Sequence, residues 1–176
     1  MTLHPSVAKI GAISHHMIRP VHSADAPAIA SIYADYVRDT TISFELTPPT
    51  IQQMQERIAA LSEQYPYFVY ERDGQLLGYC YAHAWKERAA YTHTWETTIY
   101  LAPTAKACGI GTALMQRLIE ACRAAGCHAL IACITDDNMA SRAFHEKLGF
   151  RKVSHFSQVG FKFGQWLDVT DYQLVL

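Results

Sequence analysis

Helix-spaced and alternating apolar residues divide the chain into a series of short elements. "MIRPV" (17–21) reads as a strand. In residues 23–39, Ile29, Ile32, Tyr33 and Tyr36 recur at helical spacing behind Ser23 or Asp25 as N-cap. Residues 40–50 are irregular and aromatic, and Thr50 caps a second predicted helix over 51–64. "YFVYER", the turn Asp73-Gly74 and "QLLGYCYAHAW" together give a hairpin signal. After the loop 86–91, residues 92–102 read as a long strand that stops at Pro103. A helix then runs to about Ala125 and ends at Gly126. Residues 128–134 read as a buried strand, and 136–150 as a helix capped by Asp136 or Asp137 and ended by Gly149. Two strands, 151–160 and 165–176, close the chain. The order β-α-α-β-β-β-α-β-α-β-β describes a single-domain α/β fold, a mixed sheet with flanking helices. Residues 1–16 are expected to be a flexible N-terminal extension, and 17–176 the domain.

Composition narrows the function class. The 176 residues suit one domain with a real core, and 50% hydrophobic with 18% charged residues is ordinary for a soluble protein. A net charge of -1 without a dense Lys/Arg run gives no nucleic-acid footprint. Five cysteines without C-x-x-C spacing argue against a disulfide framework or zinc ribbon, so a cytoplasmic setting is expected. Cys80, Cys122 and Cys133 are expected in the core, with Cys108 in a loop. No apolar run approaches the roughly 18 residues of a membrane span. Nine histidines without H-E-x-x-H give no metal site.

The stretch after Pro103 carries the first chemistry. Leu114, Leu118 and Cys122, with Met115 and Ile119 beside them, form the stripe of a helix packed on a sheet. That stripe does not account for Gly109 and Gly111 at its start. Glycine permits positive φ, and the first amides of a helix lack internal partners, so the turn suits an anion. The same pattern also opens helices that hold nothing. A P-loop is excluded because Gly111 is followed by Thr-Ala-Leu, and a dinucleotide fingerprint because Leu114 occupies its third glycine position.

"KACGIGTALMQRLI" (106–119) and "DDNMASRAFHEKLGF" (136–150) resemble the GNAT superfamily of acetyl-CoA-dependent N-acetyltransferases. Its signature is Q/R-x-x-G-x-G/A, followed by an Asn-initiated helix ending in E-K-x-G-F. "AWKERAAYTHTWETTIYL" (84–101) and "VGFKFGQWLDV" (159–169) are similar to its phosphinothricin and methionine sulfoximine acetyltransferases. The resemblance implies acetyl-CoA as co-substrate. Lys106, Ala107, Cys108, Gly109, Ile110, Gly111 and Thr112 would hold its pyrophosphate, and Ile99, Tyr100 and Leu101 its pantetheine arm. Asn138 and Ser141 would lie nearer the thioester. Lys106 replaces the usual Gln or Arg, and Ala107 and Cys108 replace a commoner Gly and basic residue, which weakens the site without removing its backbone donors.

Asn138, Ser141 and His145 fall within an arc of about 60° on the helix that follows, while Ala140, Ala143, Phe144 and Leu148 are expected to face the core. On the strand, Thr94, Glu96, Thr98 and Tyr100 share one face, and a mid-strand carboxylate is costly to bury without a partner. Taken from the residues alone, His145 also fits a solvated face and Glu96 an exposed edge. The resemblance assigns the two to catalysis, Glu96 as base and His145 as acid or water-positioning group, with the roles exchangeable.

Substrate contacts implied by the same resemblance are Trp85, Lys86, Glu87, Arg88 and Tyr91, together with Phe44, Glu96, Thr97 and Thr98. Lys162 and Trp166 belong to a loop expected near the pocket and completed across a homodimer. The reading is direct acetyl transfer to a small amino acid analogue. The alternatives are another amine, such as a peptide N-terminus or a polyamine, and a non-catalytic CoA-sensing module. Lys86 and Arg88 favour an anionic substrate, which disfavours the polyamine.

Overall fold

The computed structural model describes residues 15–176. Its elements are β1 (His16–Pro20), α1 (Ala26–Asp39), α2 (Ile51–Ser62), β2 (Tyr67–Arg72), β3 (Gln75–Ala84), β4 (Thr94–Leu101), α3 (Ile110–Ala124), β5 (Ala129–Thr135), α4 (Met139–Lys147), β6 (Arg151–Lys152), β7 (Phe156–Lys162) and β8 (Gln165–Val175). Strand β1 begins inside the predicted extension, whose first fourteen residues lie outside the described ones. No helix among the described residues is long and apolar enough to cross a membrane.

The sheet runs β1-β2-β3-β4-β5-β8-β6, with β7 also paired to β8. Each neighbouring pair is antiparallel except β4 and β5. The strand predicted over 151–160 is divided into β6 and β7. The chain leaves the ladder where the Val153 and Ser154 amides both donate to the Asp171 carbonyl, and it rejoins β8 in a bulged register.

Helix α3 seats Leu114, Met115, Leu118 and Cys122 on one face of the sheet, against Phe68, Cys80, Ala82 and Leu130. Helices α1 and α2 seat Ile29, Val37, Met54 and Ile58 on the other, against Val69 and Tyr79. Asp25 does not cap α1 with its side chain. Its carboxylate instead takes both Arg19 guanidinium nitrogens at 2.8 Å and the His22 amide at 2.8 Å, tying β1 to the start of the helix.

Three other expectations need correction. Cys133 is exposed, whereas Cys80, Cys122 and Cys127 are buried. Cys133 lies on the face of α1 and α2, but the main sheet contacts of these helices are with β3 and β4. On α4, Ala140 and Ala143 are exposed, Phe144 and Leu148 are half-buried, and His145 is buried. The imidazole ring sits edge-on between Phe144 and Phe150 at 5.2 Å from each, so the helix turns this side inward and leaves the small alanines to water. The cap of α4 is Asn138, whose Oδ1 accepts from the Ser141 amide at 3.2 Å. Asp136 and Asp137 are engaged elsewhere, by Thr170 and Arg142 and by Thr41.

Candidate active site

The parallel ladder between β4 and β5 lasts only from Thr94 to Glu96, opposite Ala129 to Ile131. Past that point β4 pairs with β3 alone as far as Leu101, and β5 with β8 alone as far as Thr135. At the branch, the Thr97 hydroxyl donates to the Ile131 carbonyl at 3.3 Å. The strands thus form a fork whose inner edges lack ladder partners. A cavity of about 530 Å³ opens there. It is lined by Glu96 to Tyr100 of β4, Ala132 to Thr135 of β5, Asn138 at the cap of α4, and Ser141 and His145 of α4.

Glu96 reaches the cavity from the side of α1 and α2, as its alternation with Trp95 and Thr97 requires. Its side chain is 25% exposed and lies 3.8 Å from His83 on β3. Burial pushes its carboxyl above the ordinary range, against the pull of His83 and of the Cys133 thiol that donates to it. His145 comes from α4 on the opposite face. Its Nδ1 lies 2.8 Å from the Ser141 carbonyl, which can only accept, so Nδ1 carries the hydrogen and Nε2 keeps its lone pair. Burial pulls this imidazole below its ordinary pKa, so it rests neutral at pH 7 and faces the cavity as an acceptor. An acid role requires that it first gain a proton.

The turn before α3 combines two left-handed residues, Ala107 at φ 60° and Gly109 at φ 77°. The amides of Ile110, Gly111 and Thr112 open the helix and have no carbonyl one turn back. Gly111 has a different reason to be glycine. A Cβ there would lie 3.3 Å from Leu101 and 3.5 Å from Phe144, so its absence lets α3 close on β4 and α4. Lys106 and Cys108 are exposed beside the turn. The Lys106 ammonium stands 5.3 Å over Tyr36, whose hydroxyl donates to the Leu101 carbonyl at 2.7 Å. A helix start with positive polarity, left-handed residues and a nearby cation fits the diphosphate of coenzyme A.

Residues 18–170 match the acetyltransferase (GNAT) domain. The chain belongs to the GNAT acetyltransferase family. It is 44% identical over 153 residues to the phosphinothricin N-acetyltransferase of Alcaligenes faecalis, covering 86% of this chain and 78% of that one. Identity is 38% to the L-methionine sulfoximine/L-methionine sulfone acetyltransferase of Pseudomonas paraeruginosa, covering 90% and 94%. The GNAT phosphinothricin acetyltransferase of Sinorhizobium meliloti, solved in complex with AcCoA, superposes with a TM-score of 0.88 at 36% identity, over 92% of this chain and 88% of that one.

Of the expected substrate contacts, Phe44, Glu96, Thr97 and Thr98 line the cavity of this acetyltransferase. Trp85, Lys86, Glu87, Arg88 and Tyr91 do not line it. They form a separate loop in which the Lys86 ammonium lies 4.0 Å over Trp85 and 5.3 Å over Tyr91, while Glu87 and Arg88 are exposed. Trp166 is 61% exposed. Lys162 is buried and donates to the Ser43 carbonyl at 2.6 Å, with its pKa lowered by burial, so it fastens the wall formed by residues 42–45.

The sequence reading missed Tyr33, Ser43, Glu45 and Tyr81, which also line the cavity. Tyr81 was legible from register, since it opposes Thr98 across β3 and β4. Tyr33 donates to Glu45 at 3.0 Å, and Arg57 clamps the same carboxylate at 2.6 and 3.1 Å. Among the described residues, no group of three or more His, Cys, Asp or Glu is placed to hold a metal.

Phe44 lies directly over Gly160, where a Cβ would come within 2.3 Å of the ring. Gly160→Ala is therefore expected to swing the exposed ring away at a stability cost below about 1 kcal/mol. The KM for the amine should rise several-fold with acetyl-CoA affinity unchanged. Steady-state kinetics and calorimetry check this, and an unchanged amine KM counts against Phe44 as a substrate wall.

Proposed function

We propose that this acetyltransferase moves the acetyl group of acetyl-CoA to the α-amino group of a small amino acid analogue, of the phosphinothricin or methionine sulfoximine type. Transfer is direct, in a ternary complex. The observation that carries the reading is the convergence of Glu96 and His145, from opposite faces of the sheet, on one cavity at the fork. Its 44% and 38% identical relatives acetylate such compounds by name.

Acetyl-CoA supplies the activated thioester. Amides from Ala107 to Thr112 and the Lys106 ammonium hold its pyrophosphate, and the free edge of β4 from Ile99 to Leu101 takes the amides of its arm. Asn138 has spent its side-chain oxygen on Ser141, so its amide nitrogen remains as the donor. An amine substrate arrives mostly as ammonium, and Glu96, with raised proton affinity, removes a proton. His145, with Nε2 bare, orients the amine or a water. Five unpaired cysteines agree with a reducing, cytoplasmic setting.

One feature of the wall favours the second reading, acetylation of an amine that carries no further anionic group, such as a peptide N-terminus. Among the described residues, the cavity's acidic side chains are Glu45 and Glu96, and no Lys or Arg lines it. Thiol release measured with phosphinothricin, methionine sulfoximine and short peptides separates the two. Release with none of the amines tested counts for a non-catalytic CoA-binding module.

Glu96 works as the carboxylate, so kcat/KM should fall as pH drops through its raised pKa, with the descent beginning above the usual carboxylate range. Glu96→Gln is expected to lower kcat roughly a hundredfold or more and to abolish that limb, with acetyl-CoA binding intact. An unchanged kcat removes Glu96 from the base role.

Cys133 lines the cavity beside Glu96, so direct transfer needs its own check. Cys133→Ser should keep kcat within about threefold, and the wild-type mass after incubation with acetyl-CoA alone should show no added acetyl group. A stable adduct lost in the variant would establish an acyl-enzyme instead.

A homodimer is part of this proposal. Phe156, Val159, Phe161, Phe163 and Trp166 stand 49% to 61% exposed along β7 and its hairpin, a clustering that marks a protein contact. Trp166→Glu should shift sedimentation from dimer to monomer, and a wild-type monomer at micromolar concentration refutes the assignment.

A further inference from the structure

Glu96 has a second side, turned away from the cavity. There it meets His83, its partner across the β3–β4 ladder, with Nε2 3.8 Å from Oε1. The His83 Nδ1 lies 3.0 Å from the Ala84 carbonyl, so this nitrogen carries the hydrogen and Nε2 offers a lone pair toward the carboxyl. His83 is absent from the cavity wall, yet its side chain is 30% exposed. It therefore joins the buried face of Glu96 to solvent without crossing the reaction space.

The other groups around Glu96 do not compete for this task. Burial holds Tyr81 on β3 and Cys133 on β5 in their protonated forms, and Asp171 on β8 acts on Glu96 only as a second negative charge. A separation of 3.8 Å is too long for direct transfer, but a swing of about 1 Å by the half-exposed ring closes it to hydrogen-bond range.

We propose that His83 is the proton-exit residue of this acetyltransferase, acting through Glu96. The inference rests on Glu96 as the base. In each turnover an ammonium N–H bond breaks and an O–H bond forms on Glu96. The N–C bond then forms as the C–S bond breaks, and a second nitrogen proton goes to the sulfur. The Glu96 proton passes to His83 Nε2 and on to water, which restores the carboxylate and releases one proton per acetyl group moved.

The test compares His83→Gln, Glu96→Gln and wild type. His83→Gln should lower kcat about tenfold at low buffer concentration, leave the KM for acetyl-CoA unchanged, and recover most of the loss with added imidazole. In the ligand-free protein at one pH, the His83 ring-nitrogen NMR signals should differ between Glu96→Gln and wild type, because the neighbouring carboxylate is gone. Normal kcat in His83→Gln, or a loss that imidazole does not repair, overturns the exit role. So do identical His83 ring signals in the two proteins, a result that stands even where His83→Gln fails to fold. If Glu96→Gln itself turns over normally, the failure lies in the base assignment and not in His83 alone.

Discussion

Everything in the site follows from the early parting of two parallel strands. β4 and β5 share three register positions and then separate, each keeping an antiparallel partner on its outer side. Unpaired backbone groups inside a protein are expensive, and a fork in mid-sheet leaves several of them facing each other. The Thr97 hydroxyl satisfies the Ile131 carbonyl at the crotch. Above it, the edge of β4 offers unpaired backbone groups that suit a chain-like ligand with amides of its own. The glycine turn lies at the far end of the same strand, so a ligand laid along β4 from there points its other end at the branch.

Burial acts on both titrating groups at that branch, with opposite consequences. It raises the carboxyl of Glu96 and lowers the imidazole of His145, so each is pushed toward its neutral form. A base that ionises reluctantly is a stronger proton acceptor, which suits removal of a proton from an ammonium ion. The histidine is fixed by the Ser141 carbonyl in one tautomer, and its orientation comes from the aromatic rings of Phe144 and Phe150. His83 is likewise held in one tautomer, by the Ala84 carbonyl, but it is half-exposed and lies outside the cavity. That contrast makes it suited to trading protons with water.

What the sequence disclosed was local periodicity. The stripe on α3 and the alternation of β4 were both readable, because a repeat of 3.6 or 2 residues fixes which side chains share a face. The face turned inward by α4 was not. In nine residues, two alanines are indifferent to water, and a histidine between phenylalanines is worth more inside. Cys133 was misplaced because the extent to which helices cover a sheet is a tertiary fact. The cationic loop at 85–91 bears a recognisable string, yet its lysine is taken up by its own tryptophan and tyrosine. Lys162 was invisible as a wall fastener, since its acceptor lies 119 residues away.

That distant contact bears on how the pocket is built. The loop between α1 and α2 is held over the fork by bonds to its backbone, Lys162 to the Ser43 carbonyl and Thr135 to the Thr41 carbonyl at 2.7 Å. Side-chain contacts add to these, Tyr33 with Ser43 at 2.7 Å and Phe44 laid over Gly160. Anchoring through carbonyls leaves the Ile42 side chain facing the cavity, while Phe44 rests on Gly160 and Glu45 is held by Tyr33 and Arg57. Such a loop tolerates changes in its cavity-lining side chains without losing its hold on the sheet. The fork has no such latitude, because its geometry is set by backbone pairing on either side. Within one framework, then, the fork is set by main-chain pairing and the loop over it presents side chains to the cavity.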